Sequence, residues 1–99
     1  MASACIMVVS MMQHYKITIG GKVQGVYFRD SARRVATRLG LAGFARNQPD
    51  GSVYIEVEGD EENLKKFLIW CQKGPEEAVV QEVSHTAHQA IGHKGFKVL

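Results

Sequence analysis

The chain has 99 residues and a mass of 11.0 kDa, with 45% hydrophobic and 22% charged residues, enough for one compact domain and too few for two. At this size folding hides roughly 60–65% of the unfolded surface, so a single core forms without a metal or a crosslink. Twelve Lys and Arg against ten Asp and Glu leave a formal charge of +2, which excludes the strongly basic profile of a dedicated nucleic-acid or membrane-surface binder.

Residues 1–13 read as a flexible leader ahead of one domain spanning 14–99. The leader's apolar run has no Lys or Arg in front of it, unlike a signal peptide. No stretch of the chain reaches the roughly 18 apolar residues of a membrane span. Cys5 and Cys71 form neither a CxxC pair nor a disulfide framework, which fits a reducing, cytoplasmic setting. From Tyr15 to Ile19 the residues alternate, with Tyr15, Ile17 and Ile19 on one side of a half-buried strand. Ala32, Val35, Ala36 and Leu39 then fall at i, i+3, i+4, i+7 and predict an amphipathic helix, capped by Asp30 or Ser31 and closed by Gly40. A strand over Leu41 to Gln48 and a second with Val53, Ile55 and Val57 on one face flank the Pro49-Asp50-Gly51 turn, forming a hairpin. Gly59 and Asp60 open a second helix with the stripe Leu64, Phe67, Leu68 and Cys71, so Cys71 reads as core packing and Trp70 as partly exposed packing. A fourth strand is predicted over Val79 to Ser84, and Phe96 with Val98 suggests a short fifth one. The order β, α, β, β, α, β corresponds to the ferredoxin-like sandwich, an α+β fold with two helices on one face of an antiparallel sheet of four to five strands.

That fold serves many functions, so function rests on a site. Residues 22 to 46 hold Lys22, Arg29, Arg33, Arg34, Arg38 and Arg46 against Asp30 alone, which marks the half where an anion would bind. Gln24 to Arg29 lie between a strand and a helix start, and Gly25 permits backbone angles that aim successive N–H groups inward. Such N–H groups and the positive end of the helix dipole hold a tetrahedral oxyanion, and Arg29 completes the set with a bidentate guanidinium. On the residues alone Arg29 also reads as a solvated helix-start residue. Asn47 likewise reads either as an amide that orients water or as a turn residue.

The stretches GKVQGVYFR and GFARNQPDGSVYIEVEG resemble the two signature regions of the acylphosphatase family, and the match in length and element order runs from about Tyr15 to Leu99. The resemblance implies hydrolysis of the carboxyl-phosphate anhydride of a small-molecule acyl phosphate by a monomeric protein without metal or cofactor. It implies that Arg29 binds the phosphate with the backbone N–H groups of Gln24, Gly25, Val26, Tyr27 and Phe28, and that Asn47 positions the attacking water. Tyr27 stands where smaller residues are common in the family, which bears on substrate range. Three rival readings carry less weight. His85, His88 and His93 sit at H-x2-H-x4-H spacing across an expected loop, with no Cys or carboxylate placed to complete a metal shell. RNA binding would use the strand SVYIEVE, where Tyr54 is a lone aromatic and Glu56 and Glu58 repel phosphates. A binding module that lost turnover would not need both Arg29 and Asn47.

Overall fold

The structure, a computed structural model, describes residues 12–99. Most of the expected leader therefore lies outside the described residues. The elements are β1 (Met12–Lys22), α1 (Phe28–Arg38), β2 (Ala42–Asn47), β3 (Val53–Asp60), α2 (Glu61–Lys73), β4 (Val79–His88) and β5 (Phe96–Val98). β1 outruns the apolar alternation that marks it, because it pairs on both edges and the ladder carries its polar ends. Met12 pairs with Asp60 and Gln13 with Gly59, so the domain's first strand starts two residues ahead of position 14.

The sheet order is β4-β1-β3-β2-β5, with β1 antiparallel to β3 and β4, and β2 antiparallel to β3. This is the ferredoxin-like arrangement with an added edge strand. The expectation of an antiparallel sheet needs one correction, since β5 runs parallel to β2 and the sheet is mixed. The reason is topological: the chain leaves β4 at one edge, reverses, and reaches the opposite edge already running in the direction of β2.

Alternation puts Tyr15, Ile17 and Ile19 of β1, Ala45 of β2, and Val53, Ile55 and Val57 of β3 on one face, none more than 5% exposed. They pack against Phe28, Ala32 and Ala36 of α1 and Leu64, Phe67 and Cys71 of α2. Each large apolar side chain buried this way contributes about 1.5–3 kcal/mol. Burial pushes the free Cys71 thiol far up, as expected of a packing residue. Trp70 is half-buried, with its ring 5.2 Å from Phe28 and 5.9 Å from Phe67.

The helix ends divide into expected and unexpected. Asp60 caps α2, its carboxylate accepting from the N–H groups of Glu62 and Asn63. Gly40, at φ 71, closes α1, with the Gly40 N–H donating to Thr37 and the Leu41 N–H to Ala36. Neither Asp30 nor Ser31 caps the start of α1. The helix begins earlier, at Phe28, behind a left-handed Tyr27 with no side-chain cap. Asp30 sits in the first turn and pairs with Arg33 at 2.8 Å and Arg34 at 3.1 Å, because those guanidinium groups lie at i+3 and i+4.

β4 runs to His88 rather than ending at Ser84, since His85 through His88 keep their pairing with β1 although nearly all of the strand is exposed. Residues 89–95 then cross the sheet face turned away from the helices. Glu58 anchors them there: its carboxylate accepts from Ile91 at 3.0 Å, Gly92 at 2.8 Å and His93 at 2.7 Å, and faces His14 Nδ1 at 2.9 Å. His14 Nε2 meets Glu56 at 2.9 Å. The buried His14 ring is therefore held between the Glu58 and Glu56 carboxylates. Burial opposes ionisation of Glu58, but the His14 bond and the three N–H donors outweigh it and hold the carboxyl at about 2.

Candidate active site

The chain leaves β1 at Lys22 and turns into α1 through residues 23–27. Gly25 adopts φ 75 and Tyr27 φ 62, and Tyr27 is the one non-glycine residue with positive φ among those described. Left-handed residues in so short a loop are the backbone feature from which anion-binding concavities of successive N–H groups are built. Ser31 is the first residue to donate back into the helix, to the Tyr27 carbonyl at 3.0 Å. The N–H groups of Phe28, Arg29 and Asp30 therefore have no helical acceptor and face outward from the positive end of the dipole. The Gln24 side chain fixes the loop in place, its Nε2 donating to the carbonyls of Gln48 at 2.7 Å and Ser52 at 2.9 Å. The loop is thus tied to the same hairpin turn that follows Asn47.

A cavity of about 310 Å³ opens beside this loop, lined by Val23, Gly25, Tyr27, Phe28, Arg29, Asp30, Asn47 and Val98. Of the residues expected at the site, Gly25, Tyr27, Phe28, Arg29 and Asn47 meet there. Gln24 and Val26 do not line it, Gln24 because its amide is turned to the hairpin and Val26 because its side chain is buried in the core. Arg29 is half-buried, and its Nη1 donates to the Leu99 carbonyl at 2.6 Å. That bond fixes the guanidinium plane and leaves its other N–H groups for an anion. Asn47 ends β2, opposite Val53 on the helix-facing side, and is exposed. Asp30 is the cavity's one carboxylate; its bond from Arg33, opposed by some desolvation and aided by the charge of Arg34, holds it below the usual range. Those two cations offset its charge.

The basic stretch of the sequence is dispersed in space. Arg33 and Arg34 are paired to Asp30, and Arg46 lies over the Tyr54 ring at 4.9 Å on the opposite face of the sheet. Only Arg29 of that stretch reaches the cavity. The stacked guanidinium covers the Tyr54 ring, whose hydroxyl donates to Glu56 at 2.7 Å, so that ring is not laid open for a base. The three C-terminal histidines also separate. His85 packs on Tyr15 at 5.0 Å, His88 Nε2 bonds the Thr86 hydroxyl, and His93 stacks on His14 at 5.4 Å. His85 and His88 lie on β4 and not in a loop. His14, Glu58 and His93 do converge, with ligand atoms within 4.8 Å, but both His14 nitrogens face carboxylates and Glu58 already takes four donors.

Residues 15–98 match the Acylphosphatase family model. The chain belongs to the acylphosphatase family. It is 48% identical over 84 residues to the acylphosphatase of Colwellia psychrerythraea, covering 85% of this chain and 94% of that one. The acylphosphatase structure from Bacillus subtilis superposes with a TM-score of 0.85 at 34% identity, over 88% of this chain and 98% of the other. The one from Coxiella burnetii gives 0.87 at 30% identity, over 91% and 95%. Family and fold together support acylphosphatase function, a hydrolysis, and no helix among the described residues is long and apolar enough to cross a membrane.

Within this acylphosphatase-family site, sequence reasoning missed Val23, Asp30 and Val98 as lining residues and Leu99 as the partner of Arg29. For Val98 a signal existed. It shares the phase of the buried Phe96 in β5 and pairs with Ala45, two residues before Asn47. The Leu99 contact spans 70 positions of sequence and left no local trace.

Proposed function

We propose that the chain is an acylphosphatase that hydrolyses a small acyl phosphate to a carboxylate and inorganic phosphate. The phosphoryl group sits between the Arg29 guanidinium and the N–H groups of the loop from Gln24 to Phe28. Water, oriented by the Asn47 side-chain oxygen, attacks phosphorus; the bond from phosphorus to the bridging oxygen breaks, and the electron pair leaves with the carboxylate. The water's proton passes to a phosphoryl oxygen of the substrate. A carboxylate is a stable leaving group, so no general acid is needed, and the phosphoryl transition state asks mainly for positioning and positive charge. The reading extends to a metal-independent reaction by a monomer, and cysteine usage supports a cytoplasmic setting.

The observation that carries it is that Arg29, Asn47 and the left-handed loop line one cavity in a chain of this family. The test follows hydrolysis of acetyl phosphate with and without a chelator, with inorganic phosphate as inhibitor. Chelator-insensitive turnover, inhibited competitively by phosphate, is expected. Absence of turnover would overturn the reading, and loss of turnover on chelation would return the reaction to a metal.

A further inference from the structure

The cavity holds more than a phosphoryl group. At about 30 Å³ per heavy atom, five such atoms use roughly half of its 310 Å³. The remaining wall is apolar in part. Val23 and Phe28 are 1% exposed and present little surface, whereas Tyr27 is 74% and Val98 40% exposed. Tyr27 is the larger of these two accessible apolar groups, and among the described residues its ring has no aromatic neighbour and its hydroxyl no hydrogen-bond partner. It is also held left-handed at φ 62, a conformation that disfavours a bulky residue and that glycine adopts freely. An aromatic ring on a left-handed backbone, without a partner among the described residues, therefore stands at the phosphate cradle.

We propose that Tyr27 is a specificity-determining residue whose exposed ring, together with Val98, receives the acyl portion of the substrate and favours acyl phosphates with an aromatic acyl group. This rests on the acylphosphatase reading above. The anhydride places its acyl carbon one bridging oxygen from phosphorus, so the acyl end of a group bound at Arg29 and the loop amides falls within the same cavity, where Tyr27 is the most exposed of the apolar lining residues. A flat apolar acyl group covers the Tyr27 ring there, while an acetyl group is too short to do so. Ring-on-ring contact beyond simple burial is worth roughly 3- to 10-fold in affinity.

The test is the ratio of kcat/KM for benzoyl phosphate to that for acetyl phosphate, measured in the parental protein and in Tyr27→Ala, Tyr27→Gly and Tyr27→Phe. A ratio cancels any effect of the substitution on the loop amides themselves. The Gly variant suits the left-handed backbone and so guards against a strained replacement. The ratio is expected to fall about 3- to 10-fold in the Ala and Gly variants and to persist in the Phe variant. An unchanged ratio in Ala and Gly, with both substrates still hydrolysed, would overturn the role of Tyr27 and leave the acylphosphatase reading standing. An equal fall in Phe would overturn the ring contact in favour of the hydroxyl. If the parental protein hydrolyses neither substrate, both proposals fail together.

Discussion

In the proposed mechanism two side chains divide the work at the cavity, and their chemistry predicts different losses. Arg29 is already held on one arm by the Leu99 carbonyl, so in the proposed mode its remaining donors meet the phosphate. A lysine has a point charge and no fork, and it cannot serve Leu99 and a phosphate in the same way. Arg29→Lys is therefore expected to weaken inhibition by inorganic phosphate and to lower kcat/KM, each at least about tenfold, since charged hydrogen bonds of this kind are worth roughly 1.5–3 kcal/mol. Phosphate inhibition constants measured beside kcat/KM check this, and parental values for both would remove Arg29 from the site. Asn47 lines the same cavity but carries no charge. Asn47→Ala is expected to lower kcat by roughly 10² while phosphate inhibits as before, the pattern of a group that acts in the transition state. Steady-state kinetics with phosphate as inhibitor separates the two variants.

The elements place these groups through ties that differ in how clearly the sequence announces them. Strand alternation in β1 and β3, the stripes of both helices, Asp60 as a cap and Gly40 as a terminator were all legible, because each is a local pattern with a local cause. The start of α1 was not, since a left-handed tyrosine contradicts the preference of its residue type, and Asp30 looked like a cap although Arg33 and Arg34 were its nearest partners. The far half of β4 was missed because an exposed edge strand shows no apolar alternation. The 89–95 crossing was missed because its anchor, Glu58, lies more than 30 residues away. That anchor makes a prediction about pH. The Glu58 carboxyl is depressed from 4.5 to about 2, so its contribution to stability is fully present above the ordinary carboxyl range and is lost as pH falls toward 2. In urea titrations the parental protein is expected to be more stable than Glu58→Gln by about 2–3 kcal/mol at neutral pH, and the gap to close between pH 4.5 and 2. A gap that does not vary over that range would show that Glu58 holds the crossing by packing and not by charge.

Over the whole molecule, a sandwich of two helices on a mixed sheet brings three distant segments to one corner. These are the loop after β1, the end of β2 and the end of β5. The two signature stretches were legible as motifs, but neither reveals that Val98 and Leu99 complete the corner, because β5 is placed by topology and by the crossing beneath it. In the proposed site the Arg29 guanidinium and the loop amides grip one oxyanion. Titrating inorganic phosphate into the labelled protein and following its backbone amides by NMR tests this grip. Saturable shifts confined mainly to Gln24 through Asp30, sharing a single dissociation constant and abolished in Arg29→Ala, are expected. Amides of that loop that stay still while phosphate inhibits turnover, or shifts that survive the loss of Arg29, would contradict it.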